Sequence, residues 1–304
     1  MSFSDEKDFR EIQEKLESIS EELKQSPEVI KIAKEIDVSN INYIINFGRD
    51  LEKEFSNFTD RIMNCIKTFN VKNIGVTIEE LKEILNNFYN EAAKGSIEQI
   101  LKEIDNLDSE IQRIYFDVTK YNNEMVVKDK ELQGLYLKNF EFFKEFEKNT
   151  AACSLIIDEI EREDLPYWEQ RAKYGYGDDN IKLQELSSSI HMLKHRLLSL
   201  ENSKLALIEA AAQIKIIQKE NLKLEEKIKS ALIIPISILK NELILRRQAI
   251  TGSYSTSTLL KVEALEDSWK KIIEDINDTK KIEMENKKIR EVGINKIKSK
   301  INFK

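Results

Sequence analysis

Residues that break helices are nearly absent from this chain of 304 residues, which contains only eight glycines and three prolines. Charged residues make up 34% of the sequence, and Glu, Lys, Ile and Leu are abundant. A composition rich in charged and aliphatic residues and poor in helix breakers is typical of long helices and coiled coils. We therefore predict an all-α fold.

Cysteines and long apolar runs are also scarce. The two cysteines, Cys65 and Cys153, stand among apolar neighbours, which indicates free buried thiols in a reducing cytoplasm rather than a disulfide framework. The richest apolar run, residues 231–239, is far shorter than the roughly 18 apolar residues that a membrane-spanning helix needs. We expect a cytoplasmic protein, either free or peripheral to the inner face of the membrane.

Catalytic and cofactor motifs are missing as well. His191 and His195 are spaced to share one helix face, which suits zinc, but Met192 replaces the glutamate of a zincin motif and no third histidine exists. Gly175 and Gly177 follow a helical stretch rather than a strand, so they do not form a phosphate-binding loop. We predict no enzymatic activity, no metal site and no cofactor.

Charge is unevenly distributed along the chain, whose formal net charge is −7. This balance does not favour nucleic acid as a partner. Residues 1–30 carry nine acidic and four basic side chains, whereas residues 279–304 carry nine basic and three acidic ones. Two solvated helix faces explain the asymmetry. Alternatively, the basic end contacts acidic lipid headgroups or an acidic partner.

Two heptad repeats dominate the middle of the chain and predict an antiparallel coiled-coil hairpin. Both seam positions of the first helix are apolar at nearly every heptad. They are Ile97, Ile104, Ile111, Val118, Met125 and Leu132, with Ile100, Leu107, Ile114, Tyr121 and Leu135. The second helix begins near Ile181, and its seam shifts phase after Ile214. Residues 164–180, with Pro166 and two glycines, predict the turn, and Pro235 predicts a kink.

Shorter signals complete the layout of an elongated helical bundle. The predicted regions are an N-terminal helical region (1–95), the hairpin (96–250) and a basic C-terminal helix that packs back on the hairpin (251–304). Within the first we predict an amphipathic helix over 5–25, a helix capped by Ser26, an amphipathic stretch over 40–70 and a helix capped by Thr77. Aromatic residues between 136 and 146 predict a core layer against a third helix. The apolar stripe of the last helix weakens after Lys280.

Short stretches in a fixed order between residues 158 and 248 resemble the bacterial toxic-anion-resistance family, the TelA-like tellurite-resistance proteins. The stretches are Leu165-Pro166, Gly177-Asp178, Leu200–Lys204, Gln213–Gln218, Glu226–Ile228, Ile234-Pro235 and Lys240-Asn241. The chain departs from the family pattern at three places. Lys204 stands where the family usually has Arg, Ala212 where it has Pro, and Ser237-Ile238 where it has Trp.

The resemblance implies a cytoplasmic helical stress-resistance protein, linked to tellurite and other toxic agents, with no established catalytic residues to carry over. Our first hypothesis is a non-enzymatic, elongated adaptor that binds protein partners, because a proline-kinked helix with polar residues beside an apolar stripe can dock a partner. The candidate partner-binding residues are Gln213, Gln218, Lys227, Pro235, Lys240 and Asn241. An equal alternative is that these residues serve helix packing.

Two further hypotheses belong to other classes of function. A peripheral membrane scaffold would use the basic C-terminal helix and the apolar run 231–239. A direct anion binder would use helix N-termini and lysines, or the reaction of a thiol with tellurite. Self-association is compatible with each of the three.

Overall fold

The computed structural model describes residue 23 and residues 25–69, 74–92, 97–175, 177–251 and 262–301. Helices and the turns between them account for these residues, and no strand occurs among them. The predicted all-α class is therefore confirmed. The amphipathic helix predicted over 5–25 falls almost entirely outside the described residues, as does the Ser/Thr-rich patch of 252–258 before the last helix.

The helices are numbered here in chain order. They are α1 (Pro27–Glu35), α2 (Ile41–Asn46), α3 (Arg49–Thr68), α4 (Ile74–Ala92), α5 (Ile97–Glu159), α6 (Leu165–Lys173), α7 (Gly177–Ile228), α8 (Ile234–Thr251) and α9 (Val262–Ile301). Two short π-helical turns, Ile160–Asp164 and Lys229–Ile233, lie between α5 and α6 and between α7 and α8.

Local capping chemistry sets the first helix boundaries. The Ser26 side chain accepts a hydrogen bond from the Val29 amide at 3.2 Å, and Pro27 occupies the first turn of α1, so this predicted cap is confirmed. Asn40 caps α2 in the same way. The stretch predicted as one amphipathic region over 40–70 is split, because Gly48 adopts a φ of 68°, which a side chain would disfavour.

The predicted cap at Thr77 is wrong. Helix α4 already begins at Ile74, and Thr77 lies inside its first turns. Ile74 and Ile78 are both fully buried. Burial of the first turn stabilises a helix that begins before Thr77. Packing thus outweighs the preference of threonine for the N-cap position.

The heptad residues pack as the periodicity predicted. On α5, Ile111, Ile114 and Leu132 are buried, and on α7 the buried seam shifts phase from Ile214 to Ile217. The chain divides into two compact units. Unit 1 comprises Met1–Asn64, Gln133–Ile216 and Gly293–Lys304, and unit 2 comprises Cys65–Leu132 and Ile217–Val292. Both long helices contribute to both units.

In unit 1, side-chain contacts fix the antiparallel direction of α5 and α7. Asn139 donates to the carbonyl of Leu207 at 2.8 Å, and further along α5 the Cys153 thiol donates to the carbonyl of Leu193 at 3.5 Å. The aromatic layer also forms: the rings of α5 meet a third helix, α3, as predicted. Its ring pairs are Phe55 with Phe142 and Phe146, and Phe58 with Phe142.

In unit 2, α7 contacts both α5 and α9. The Asn221 side chain donates to the carboxylate of Asp129 on α5 at 3.1 Å. Lys227 pairs with Asp275 on α9 at 2.9 Å. Helix α4 joins the same unit through Lys280 of α9, which pairs with Glu79 at 2.5 Å.

Both prolines within the helical hairpin follow a π turn. Pro166 and Pro235 are the second residues of α6 and α8, and each π turn ends two residues before its proline. A proline has no N–H, and its ring crowds the carbonyl four residues earlier. The wider π turn relieves that clash while helical bonding continues. The break predicted over 164–180 is therefore too long, because α6 fills its first half and only residues 174–176 separate α6 from α7.

Candidate functional site

The candidate partner-binding residues do not form one surface. Gln213 lies in unit 1, where it is buried and donates to Glu209 on its own helix at 2.8 Å. The other five belong to unit 2. Gln218 is half-buried and donates to the carbonyl of Asp129 at 3.3 Å, and Lys227 makes the ion pair with α9. These three side chains contact the protein itself, which agrees with the packing alternative.

The remaining three candidates lie on α8, next to isoleucines that face solvent. Ile234 is 56% exposed and Ile238 is 54% exposed, and Asn241 is exposed on the same face one turn further on. We call Ile234, Ile238 and Asn241 the α8 ridge. Pro235 flanks the ridge on one side. Lys240 flanks it on the other, with its ammonium 5.2 Å from the ring centre of Tyr115.

The opposite face of α8 anchors the ridge to unit 2. Ile236, Leu239 and Leu243 are fully buried, at a helical spacing that places them across the axis from the ridge. The run 231–239 is therefore divided between core and solvent, with Ala231 and Leu232 also buried. Among the described residues, no helix is long and apolar enough to cross a membrane.

The two histidines do not gather further ligands. His191 and His195 are exposed on α7, with ring centres 5.8 Å apart. In the part of the chain that the structure describes, no group of three or more His, Cys, Asp or Glu side chains is placed to hold a metal ion.

The cysteines are free and buried, as predicted. Burial raises the pKa of Cys65 to about 12, and it raises the pKa of Cys153 to about 12 as well. Because the thiolate is the reactive form, both groups are poor nucleophiles in the folded protein at neutral pH. The structure thus offers no accessible thiol for the reaction with tellurite that we considered.

Two carboxylates of unit 1, one buried and one with a side chain that is 13% exposed, have different surroundings. Glu147 is buried, neither of its oxygens accepts a hydrogen bond, and its nearest cation is Lys204 at 3.8 Å. Burial raises the pKa of Glu147, and Lys204 opposes that shift. Glu52, by contrast, pairs with Arg196 at 2.9 Å and accepts from Ser199 at 2.8 Å.

A buried polar seam on α9 is the feature that the sequence analysis missed. The apolar stripe was predicted to weaken after Lys280, but the buried face of α9 continues at the same spacing, with polar residues in place of apolar ones. The seam positions after Ile276 are Thr279, Glu283, Asn286 and Arg290, all buried, followed by buried Ile294 and Ile297. The alternating 4-3 spacing was visible in the sequence, but a search for apolar residues alone passes over it.

Arg290 has the most unusual environment in the seam. It is 1% exposed, and none of its three guanidinium nitrogens has a hydrogen-bond partner. Its guanidinium lies 5.4 Å from the ring centre of Phe69. The hydroxyl of Tyr121 and the carboxylate of Glu283 both favour its charged form. Burial lowers the pKa of Arg290. The side chain nevertheless remains charged, as arginine does in proteins.

Other polar groups in unit 2 are also left without partners. Both amide atoms of Asn286, one turn before Arg290, lack hydrogen bonds, and so do the Asn122 carbonyl oxygen and the Thr119 hydroxyl on α5. An unsatisfied buried polar group costs about 1–3 kcal/mol, and more when it is charged. Native proteins contain few such groups, so a set within one unit requires an explanation.

A surface groove of about 670 Å³ lies beside the covered guanidinium. Phe69 and Tyr121, the two rings that interact with Arg290, also line this groove. Its rim on α5 carries exposed Phe116 and Val127 together with Lys120. Arg290 does not itself line the groove, but two of the aromatic side chains that interact with it do.

Comparison with known proteins gives a family. The family model described as "Toxic anion resistance protein (TelA)" matches residues 29–253. The matched range contains the α8 ridge and ends before α9. No solved structure matches the chain.

Curated relatives agree with that match. The chain is 30% identical to "Uncharacterized protein YceH" of Bacillus subtilis, and the similarity covers 94% of this chain and 91% of the relative. It is 26% identical to "TelA-like protein SAV1406" of Staphylococcus aureus strain Mu50, over 73% of this chain and 63% of that protein. A second S. aureus relative, "TelA-like protein SAUSA300_1299", gives the same identity and coverage.

Proposed function

Because the chain belongs to the toxic anion resistance (TelA) family, we propose that it is a non-catalytic resistance protein of the cytoplasm that binds a protein partner along the α8 ridge. The observation that carries the proposal is the exposure of Ile234 and Ile238 on a helix whose other face is buried. Resistance to tellurite and related anions is the phenotype that the family name suggests.

The chemistry of the ridge supports a protein as the partner. Two adjacent isoleucines offer apolar contact, Asn241 adds an amide donor and acceptor, and Lys240 at the flank offers a positive charge. An amphipathic surface of this kind fits a helix or groove with an apolar centre and an acidic rim. Because the ridge stands on a helix anchored by buried residues, it can bind without refolding.

The test is the double substitution Ile234→Asp and Ile238→Asp in the full chain, expressed in cells that lack the native protein. We expect loss of tellurite resistance with an unchanged circular dichroism spectrum, because both side chains already face water. Leu222→Asp is the matched control, since Leu222 is 54% exposed in the same unit but lies on α7. It should leave resistance intact.

Site-specific photocrosslinking separates the candidate functions. A photoreactive residue at position 238 should crosslink a defined protein, whereas the same residue at position 222 should not. Full resistance in the double variant would exclude the ridge as the working surface. Co-flotation of the wild-type chain with anionic vesicles, lost on neutralising the exposed lysines Lys287 and Lys288, would instead favour the membrane scaffold.

A further inference from the structure

We propose that unit 2 contains a binding site for a small free oxyanion, in which the guanidinium of Arg290 and the side-chain amide of Asn286 are the ligand-binding groups. The inference goes beyond the proposed partner surface and does not depend on it, because neither residue lies on the α8 ridge. It rests on two buried donor groups, the Arg290 guanidinium and the Asn286 amide, whose nitrogens have no hydrogen-bond partner. The two side chains are adjacent on one face of α9.

The unpaired charge is the first argument. Removing a guanidinium from water costs several kcal/mol, and proteins offset this with an opposite charge and hydrogen bonds. Arg290 has neither in full: the Tyr121 hydroxyl and the Glu283 carboxylate favour its charge, but none of its three nitrogens makes a hydrogen bond of normal geometry. A bound anion would supply the missing acceptors and the missing negative charge together.

The donor set identifies the class of ligand. A guanidinium presents a planar fork of N–H groups that matches two oxygens of a carboxylate, phosphate or similar oxyanion. Asn286 stands four residues before Arg290, so the two side chains share one face of α9, and its amide nitrogen lacks an acceptor. The site therefore suits an ion with at least three oxygens that accept hydrogen bonds.

The groove provides a route from solvent. Phe69 and Tyr121 line it and also interact with Arg290, so a shift of these two rings would connect the cation with water. Lys120 on the same wall would raise the local concentration of anions. Glu283 acts in the opposite direction, because its carboxylate repels an anion beside Arg290. Neutralising Glu283 should therefore strengthen anion binding. A purely structural role of Arg290 predicts no such change.

The experiment is isothermal titration of the full chain with sodium phosphate, sulfate and tellurite in separate arms at constant ionic strength, together with thermal unfolding in the same buffers. We expect at least one oxyanion to bind with one site per chain. At ten times the dissociation constant, it should lower the unfolding equilibrium constant of unit 2 about 11-fold relative to chloride.

Three variants make the result specific. Arg290→Met should abolish the oxyanion effect while remaining folded, because an apolar side chain in this position removes an unpaired charge. Glu283→Gln should tighten oxyanion binding by about tenfold, since it removes the repelling carboxylate. Lys288→Met, two residues away on the exposed face, should bind like the wild type.

Several outcomes would overturn the proposal. Equal stabilisation of wild type and Arg290→Met would identify a general salt effect. Absence of binding in all three arms would leave Arg290 without a ligand of this class. Weaker binding in Glu283→Gln would contradict the assigned role of that carboxylate. Binding to phosphatidylglycerol vesicles that requires Arg290, with none to the free ions, would identify a lipid headgroup instead.

Discussion

The salt bridge between Arg196 and Glu52 should contribute more to the stability of unit 1 than any exposed pair. The Arg196 side chain is 10% exposed and the Glu52 side chain 13%, with 2.9 Å between their charged atoms. Arg196 also donates to the carbonyl of Phe47, the residue before the left-handed Gly48. The guanidinium thus fastens the α2–α3 turn to α7, and the substitution Arg196→Met tests this role.

The expected magnitude follows from what the substitution leaves behind. Glu52 would keep only the Ser199 hydroxyl at 2.8 Å, and the Phe47 carbonyl would lose its donor. Removing one partner of a buried ion pair costs about 3–5 kcal/mol. For a unit of this size, each kcal/mol lowers the melting temperature by about 2–4 °C. We therefore expect Arg196→Met to lower the melting temperature of unit 1 by about 10 °C.

Calorimetry would measure the change in melting temperature caused by Arg196→Met. Hydrogen exchange of peptides from α1–α3 would show that the loss of stability lies within unit 1. Arg162→Met is the control, because the Arg162 side chain is 76% exposed in its pair with Glu163, and it should change the melting temperature by at most about 1 °C. The double variant Arg196→Met with Glu52→Leu should recover part of the loss. A decrease below about 2 °C for Arg196→Met alone would refute the assignment of the pair as a buried, stabilising contact.

Other substitutions have defined expectations. Gly48→Ala should cost about 2 kcal/mol by chemical denaturation, because its φ is 68° and the new methyl carbon would lie 3.1 Å from the side chain of buried Leu200; an unchanged midpoint would contradict this. Burial raises the pKa of Glu147, so the folded state binds its proton more tightly than the unfolded state, and the charged carboxylate destabilises the fold above its folded pKa. Glu147→Gln should therefore raise the melting temperature at about pH 7.5, with a smaller increase near pH 4.5. An increase that grows on acidification would contradict a raised pKa of Glu147 in the folded state. Cys65 and Cys153, each with a pKa of about 12, should resist a thiol reagent in the native protein and react in denaturant; fast native reaction would show that burial does not protect them.

Helix-level features were predictable because they depend on local composition and periodicity. The all-α class, the cap at Ser26 and the phase shift after Ile214 each follow from spacing that the sequence displays. The predicted cap at Thr77 was wrong because the burial of Ile74 and Ile78 stabilises a helix that begins before Thr77. The break predicted over 164–180 was too long because Pro166 is compatible with a helix when a π turn precedes it.

The candidate sites depend on packing, and this limited what spacing could show. Asn241 and Gln213 look alike in the sequence, yet one is exposed and the other buried, because the neighbours that cover Gln213 lie far away in the chain. Arg290 was counted with the solvated basic end. Only the positions of Phe69 and Tyr121 identify it as a buried cation.

The π turn at Lys229–Ile233 has a rotational consequence for α8. A π turn contains one more residue than the α-helical path it replaces, and one residue corresponds to about 100° around a helix axis. Deleting Ser230 together with Pro235→Ala would restore a regular helix and turn α8 by that angle. The isoleucines now in water would move toward the flank, and Ile236 and Leu239 would leave the core. A single inserted residue thus decides which side of this helix is available for recognition, and a one-residue insertion or deletion could change that choice without altering any side chain on the ridge.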